Sequence, residues 1–223
     1  LWGEGRDNTV LDFTGTSYRL KILGTSIVNT LNAKISDLSI LATDGAAGVD
    51  IQYSQGSYLE NVISLEHVGY GFHIHSSSFV IFKDCIASDN ISDGFKVDND
   101  AGSSNQAHIE FINCVSQDNS GDGYDTVTAS GAVVANIYWF GCRANLNVGN
   151  GWVFTGSLEI DSSLVGCFSA SNTADGYDVT AEDISFIGCT AQSNTGDGFE
   201  NKDFDNRYIG CRSESNTGDD WDL

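Results

Sequence analysis

The sequence predicts an all-β solenoid, a single-stranded right-handed parallel β-helix of about nine coils of 22–29 residues, on three observations. The first is a phrase repeated six times: CIASDNISDGF, CVSQDNSGDGY, CRANLNVGNGW, CFSASNTADGY, CTAQSNTGDGF and CRSESNTGDDW, opening at Cys85, Cys114, Cys142, Cys167, Cys189 and Cys211. In each copy an Asn follows the Cys by five residues, then comes Asp-Gly or a close variant, then an aromatic. The second is spacing. Successive cysteines lie 29, 28, 25, 22 and 22 residues apart, a fixed core with a variable insertion. The third is local pattern: runs such as HIEFINC, NIYWFGC, DISFIGC and NRYIGC alternate and are bounded by Gly, Asn, Asp and Ser, while no segment carries a helical period.

The elements follow in chain order. The opening LWGEGRDNTVLDF reads as the G-x-G start of an early coil. KISDLSILATDGAAGVDI places Leu38 in the cysteine column and Gly48-Val49 over Gly71-Phe72. YLENVISLEHVGYGF then places Asn61 in that column and Gly71-Phe72 over Gly94-Phe95. Residues 1–223 are expected to form one β-helix domain. No capping element is legible before the first coil or after NTGDDWDL, so a processed chain or a piece of a longer one is expected, with open ends suited to self-association.

Composition narrows the partners. Net charge is −21, from 31 acidic and 10 basic residues, which argues against nucleic acid and anionic membranes. No run of 18 apolar residues exists, so membrane insertion is not expected. The acidity has two readings: solubility of an extracellular, cell-surface or virion-surface protein, or calcium held by the column Asp93, Asp122, Asp175, Asp197 and Asp219. Asp-Gly is also good turn chemistry.

Each column has its own readings. The cysteines form a buried thiol ladder or pair as Cys85 with Cys114, Cys142 with Cys167, and Cys189 with Cys211; their spacing does not suit zinc. Asn90, Asn119, Asn147, Asn172, Asn194 and Asn216 read as an inward amide ladder. Phe95, Tyr124, Trp152, Tyr177, Phe199 and Trp221 fill the core or, facing out, form a platform for sugars.

Chemistry is concentrated elsewhere. Positions one and three past each aromatic share the opposite face of their strand, so stacking puts Asp50 and Gln52, His73 and His75, Lys96 and Asp98, and Asp125 and Val127 on one exposed sheet. His67 comes just before this patch. The longest insertions, carrying NDAGSSNQ and TASGAVVAN, lie just beyond it and are expected to wall a groove.

The stretch GYGFHIH followed by CIASDNISDGFKVD resembles the catalytic coils of the mannuronan C5-epimerases, which stand with polysaccharide lyases among the pectate-lyase-like β-helices. In that family a Tyr-Gly-Phe-Asp-Pro-His segment supplies a tyrosine and a histidine for proton transfer at C5, and an aspartate one coil on assists. The resemblance, over roughly Val49 to Asp125, implies Tyr70, His75 and Asp98 as catalytic residues, and their neighbours on the same stacked face, Asp50, Gln52, His73, Lys96 and Asp125, are read as substrate-binding. His73 stands where the family has aspartate, Ile74 replaces its proline, and Asp50 falls near its carboxylate-neutralising lysine.

Proton abstraction beside a carboxylate needs a base, an acid on the other sugar face and positive charge for the developing enolate. His75 and Tyr70 fill the first two roles in either order, Asp98 orients the imidazole, and Lys96 or protonated His73 supplies the charge. Long-range repulsion between a polyuronate and a chain of charge −21 opposes this unless calcium bridges. Two functions are therefore carried forward: an extracellular β-helix that binds or modifies polysaccharide, epimerase-like or lyase-like, and a non-catalytic structural or adhesion solenoid such as a tailspike segment.

Overall fold

The computed structural model describes residues 1–6, 8–13, 20–24, 32–42, 47–99, 106–129, 134–156 and 162–223. Its strands pair in parallel and stack as a solenoid. One coil runs Val80–Lys83, bends at Asp84-Cys85, continues as Ile86–Ser88, turns at Asn90 and ends as Phe95–Asp98. Strands of the first two kinds share a fifteen-stranded sheet, because Lys34–Leu41 and Tyr58–Leu65 run through the bend unbroken. Strands of the third kind form a nine-stranded sheet from Leu20–Leu23 to Trp221–Asp222. The described residues make about seven turns, somewhat fewer than the nine coils expected.

The bend ahead of each cysteine needs a left-handed backbone. It is occupied by Asp37 (φ 59°), Asn61 (56°), Asp84 (52°) and Asn113 (52°), then by Gly141, Gly166, Gly188 and Gly210 at 62–63°. These residue types tolerate that region at least cost. The same column corrects the sequence register by one place: Glu60 pairs with Lys83 and Ile63 with Ile86, which sets Asn61 opposite Asp84 and Val62 opposite Cys85. Leu38 pairs with Val62 and does lie in the cysteine column, and Val49 pairs with Phe72.

Glycine before the aromatic has a different cause. At Gly94 a Cβ would run into Ser116 Oγ and lie 2.9 Å from the Gly123 carbonyl oxygen, so the turn can stack only without a side chain. Directly behind it, the aromatics form a continuous inward stack: Phe72, Phe95, Tyr124, Trp152, Tyr177, Phe199 and Trp221, with centroids 4.4–5.0 Å apart. A second stack, Phe82, Phe111 and Trp139, meets the first edge-on. These rings fill the core, which removes the outward sugar platform as a reading of this column.

The asparagine ladder is continuous. Each Nδ2 donates to the Oδ1 of the next coil, from Asn90 to Asn119 at 2.8 Å through to Asn194 to Asn216 at 3.0 Å, and that Oδ1 also accepts the backbone N–H of the preceding asparagine. Buried polar groups are thereby satisfied in one repeating pattern. The cysteines are free thiols, buried except for half-exposed Cys211, and Cys85, Cys142, Cys167, Cys189 and Cys211 donate to carbonyls of the preceding coil, as Cys142 does to Phe111 at 3.3 Å. The aspartate column is a third ladder: Asp93 Oδ1 accepts Asp122 N–H at 2.9 Å, and Asp175 and Asp197 serve the next coils in the same way at 2.6 Å.

Candidate functional site

The nine-stranded sheet presents the titratable patch. Strand pairing aligns Lys21 with Asp50, Asp50 with His73, His73 with Lys96 and Lys96 with Asp125 in one row, and Gln52 with His75 and His75 with Asp98 in the next. All the sequence-predicted site residues fall on four adjacent strands, Ala47–Gln52, Tyr70–His75, Phe95–Asp98 and Tyr124–Val127.

Asp98 is the centre of the arrangement. Its Oδ1 lies 3.0 Å from His73 Nε2 and 2.5 Å from His75 Nδ1, while the other ring nitrogen of His73 lies 3.4 Å from Asp50 Oδ1. Gln52 Nε2 donates to Asp50 Oδ2 at 3.1 Å, and Lys21 Nζ stands 3.8 Å from the same oxygen. Tyr70 packs its ring 5.1 Å from that of His73, and Tyr53 meets His75 edge-on at 5.9 Å.

The face is more enclosed than alternation alone predicts. Asp50 is only 1% exposed and Asp125 8%, whereas both were expected on an open sheet. Lys21, Gln52 and His73 crowd over Asp50, and Lys96 closes on Asp125 as an ion pair. Lys96 is thus engaged by Asp125, while its charge still acts on Tyr70, and His73 stands between Asp50 and Asp98.

Electrostatics follow from this crowding. Burial acts to lower the His73 pKa, but hydrogen bonds and charge from Asp50 and Asp98 outweigh it and raise the imidazole to about 9. Burial acts to raise Asp98, but bonds from His73 and His75 hold its carboxyl well below the usual range. Burial likewise acts to lower Lys96, and the Asp125 carboxylate outweighs it to leave the ammonium raised. Tyr70 is raised by burial and stays a neutral phenol.

Beside this centre lies an acidic one that the sequence did not single out as a group. Carboxylate oxygens of Asp93, Asp122 and Asp125 sit within 4.8 Å of one another. Burial lifts Asp93 to about 7 and Asp122 to about 6, and Asp125 Oδ1 is buried with no hydrogen-bond partner. Asp93 and Asp122 come from the turn column and Asp125 from the strand, so no linear spacing announces the cluster. Lys21 was also missed, since its strand precedes the repeated phrase. His67 does not belong to the patch: it is 2% exposed, and its N–H donates to Asn90 Oδ1, which puts it at the asparagine column. The predicted walling loops span residues 99–106 and 128–136, and their middle parts, 100–105 and 130–133, lie outside the described residues.

No protein-family model and no curated protein matches the chain. Solved structures do match. The catalytic domain of a GH87 α-1,3-glucanase in complex with nigerose is 16% identical, over 86% of this chain and 36% of that one, with a TM-score of 0.66. Geobacillus virus E2 ORF18 is 12% identical, over 95% of this chain and 48% of that one, with a TM-score of 0.63. The mannuronan C-5 epimerase AlgE4 A-module of Azotobacter vinelandii is 14% identical over 94% of this chain and 79% of that one, with a TM-score of 0.48. The chain therefore spans about half or less of the length of the first two. At these identities the likeness is one of architecture, and the chain has the parallel β-helix fold.

Proposed function

We propose that the chain is a polysaccharide-modifying β-helix, working outside the cell or at a cell or virion surface, whose nine-stranded sheet moves a proton at the carbon next to a uronate carboxylate. The observation that carries this reading is Asp98 Oδ1 shared between two imidazoles, with a neutral tyrosine against one of them.

The roles follow from the geometry. His75 donates Nδ1–H to Asp98, which fixes the tautomer and makes Nε2 the basic nitrogen. His73, protonated between Asp50 and Asp98, places positive charge where an enolate develops. Tyr70, held neutral, is the acid. Proton return from the opposite face inverts C5; loss of the C4 substituent cleaves the chain.

Calcium fits the neighbouring cluster in chemistry, since Asp93, Asp122 and Asp125 offer hard oxygens and one of them is buried without a partner. Bound there it would supply positive charge that favours an anionic sugar. The fold likeness to a glucanase agrees with a polysaccharide as substrate class.

The test is incubation with polymannuronate, polyguluronate and pectate, with and without calcium, following unsaturated products by ultraviolet absorbance and C5 inversion by proton NMR. Conversion that His75→Ala abolishes supports the reading. No conversion of any of the three overturns it in favour of a non-catalytic solenoid.

A further inference from the structure

The outer face of the fifteen-stranded sheet carries aromatic rings that the core does not use. Along Val80–Lys83, Gln106–Ile112 and Val134–Phe140 the inward positions Val80, Phe82, Ile109, Phe111, Ile137 and Trp139 are all fully buried. The outward positions add Phe79, 56% exposed, and Phe140, 39% exposed, with His108 and Tyr138 between them. Ring centroids run Phe79 to His108 at 5.5 Å, His108 to Tyr138 at 6.0 Å and Tyr138 to Phe140 at 6.3 Å.

The fold does not require these rings. In the strands that continue the Tyr138 column the residues are Ser163, Ser185 and Arg207. In the column of Phe79 and His108 the next coil has Asn136, in the same left-handed backbone. Phe79 at φ 56° therefore exposes a large apolar ring from a conformation in which asparagine is more at ease.

Polar groups stand among the rings, and the charged ones are paired. His108 Nε2 meets Glu110 Oε1 at 3.0 Å, Lys83 Nζ meets Glu60 Oε1 at 2.6 Å, and Tyr138 Oη donates to Asn136 Oδ1 at 3.4 Å. A polyanion finds little uncompensated positive charge on this face, and the chain as a whole repels it at −21. Separate ring faces with hydrogen-bonding groups between them suit pyranose rings, whose C–H faces stack on aromatics while their hydroxyls reach sideways. Coils stacked about 4.8 Å apart repeat on the scale of one sugar unit.

We propose that this face is a second, non-catalytic binding surface for a neutral polysaccharide, gripped by Phe79, His108, Tyr138 and Phe140. It lies on a different sheet from the histidine site and does not depend on the chemistry proposed there. Its purpose is to hold the protein on a glycan matrix.

The test is affinity electrophoresis through gels containing soluble β-glucan, dextran or arabinogalactan, with polymannuronate as the charged control. The variant Phe79→Asn/Tyr138→Ser uses residue types that the fold itself places in these columns, and its thermal melt checks folding. Retardation of the wild type by a neutral glycan, weakened tenfold or more in this variant and unchanged in His75→Ala, supports the proposal. A wild type that runs free through all three neutral gels, or a folded variant retarded as strongly as the wild type, overturns it. So does self-association in sedimentation velocity that the variant loses, which would make the face an interface between copies.

Discussion

His75 Nδ1 and Asp98 Oδ1 lie 2.5 Å apart across one coil boundary, paired by strand register between Tyr70–His75 and Phe95–Asp98. The same oxygen serves His73. Asp98→Asn is expected to leave the fold intact, to lower the His73 pKa from about 9 by more than one unit, and to cut turnover at least tenfold. Imidazole NMR titration beside a rate assay checks this; an unmoved His73 titration would detach Asp98 from the site.

Stability should fall as pH rises through the neutral and mildly alkaline range. His73 has a folded pKa of about 9 against an ordinary 6.5, so its contribution is complete below about pH 6.5 and lost as pH climbs through about 9. Asp93, lifted from 3.8 to about 7, and Asp122, lifted to about 6, act in the same direction at lower pH. Urea midpoints measured across this range should decline steadily, and less steeply in Asp93→Asn.

His67 works in the opposite sense. Burial lowers it from 6.5 to about 4, so its contribution is present above about pH 6.5 and lost as pH falls through about 4. Its Nε2 is buried without a hydrogen-bond partner. His67→Asn, which installs the ladder residue of the following coils, is expected to move the acid-unfolding midpoint to lower pH, read by circular dichroism.

The ladder itself is a stability element. Asn147→Ala removes the acceptor of the Asn119 side-chain and backbone N–H groups and the donor to Asn172, at 2.9–3.2 Å, and leaves the buried Asn119 backbone N–H unpaired. Loss of about 3 kcal/mol in equilibrium unfolding is expected. Gly151→Ala should be at least as damaging, because its Cβ would lie 2.5 Å from the Gly176 carbonyl oxygen and closer still to Ser169 Oγ.

The repeated phrase made the fold legible because solenoid coils impose the same demands at each level. Cys, Asn, Gly and the aromatic each mark a place where neighbouring coils touch. The pairing of His73 with Lys96 and of His75 with Asp98 could be read from it by counting. What counting could not give was packing across columns. Asp50 and Asp125 are buried by long side chains from adjacent rungs, and the Asp93, Asp122 and Asp125 cluster joins a turn column to a strand column. In the coil of Tyr58–Leu65, which lacks the cysteine, the register slipped by one, because Asn61 satisfies the left-handed bend and not the core position beside it.

The most direct test is solvent deuterium exchange at C5 of oligouronates, followed by proton NMR with wild type, His75→Ala and Tyr70→Phe. Incorporation by the wild type is expected, abolished in His75→Ala and reduced at least a hundredfold in Tyr70→Phe. Absence of exchange in the wild type, or exchange that survives His75→Ala, would contradict proton transfer at this site.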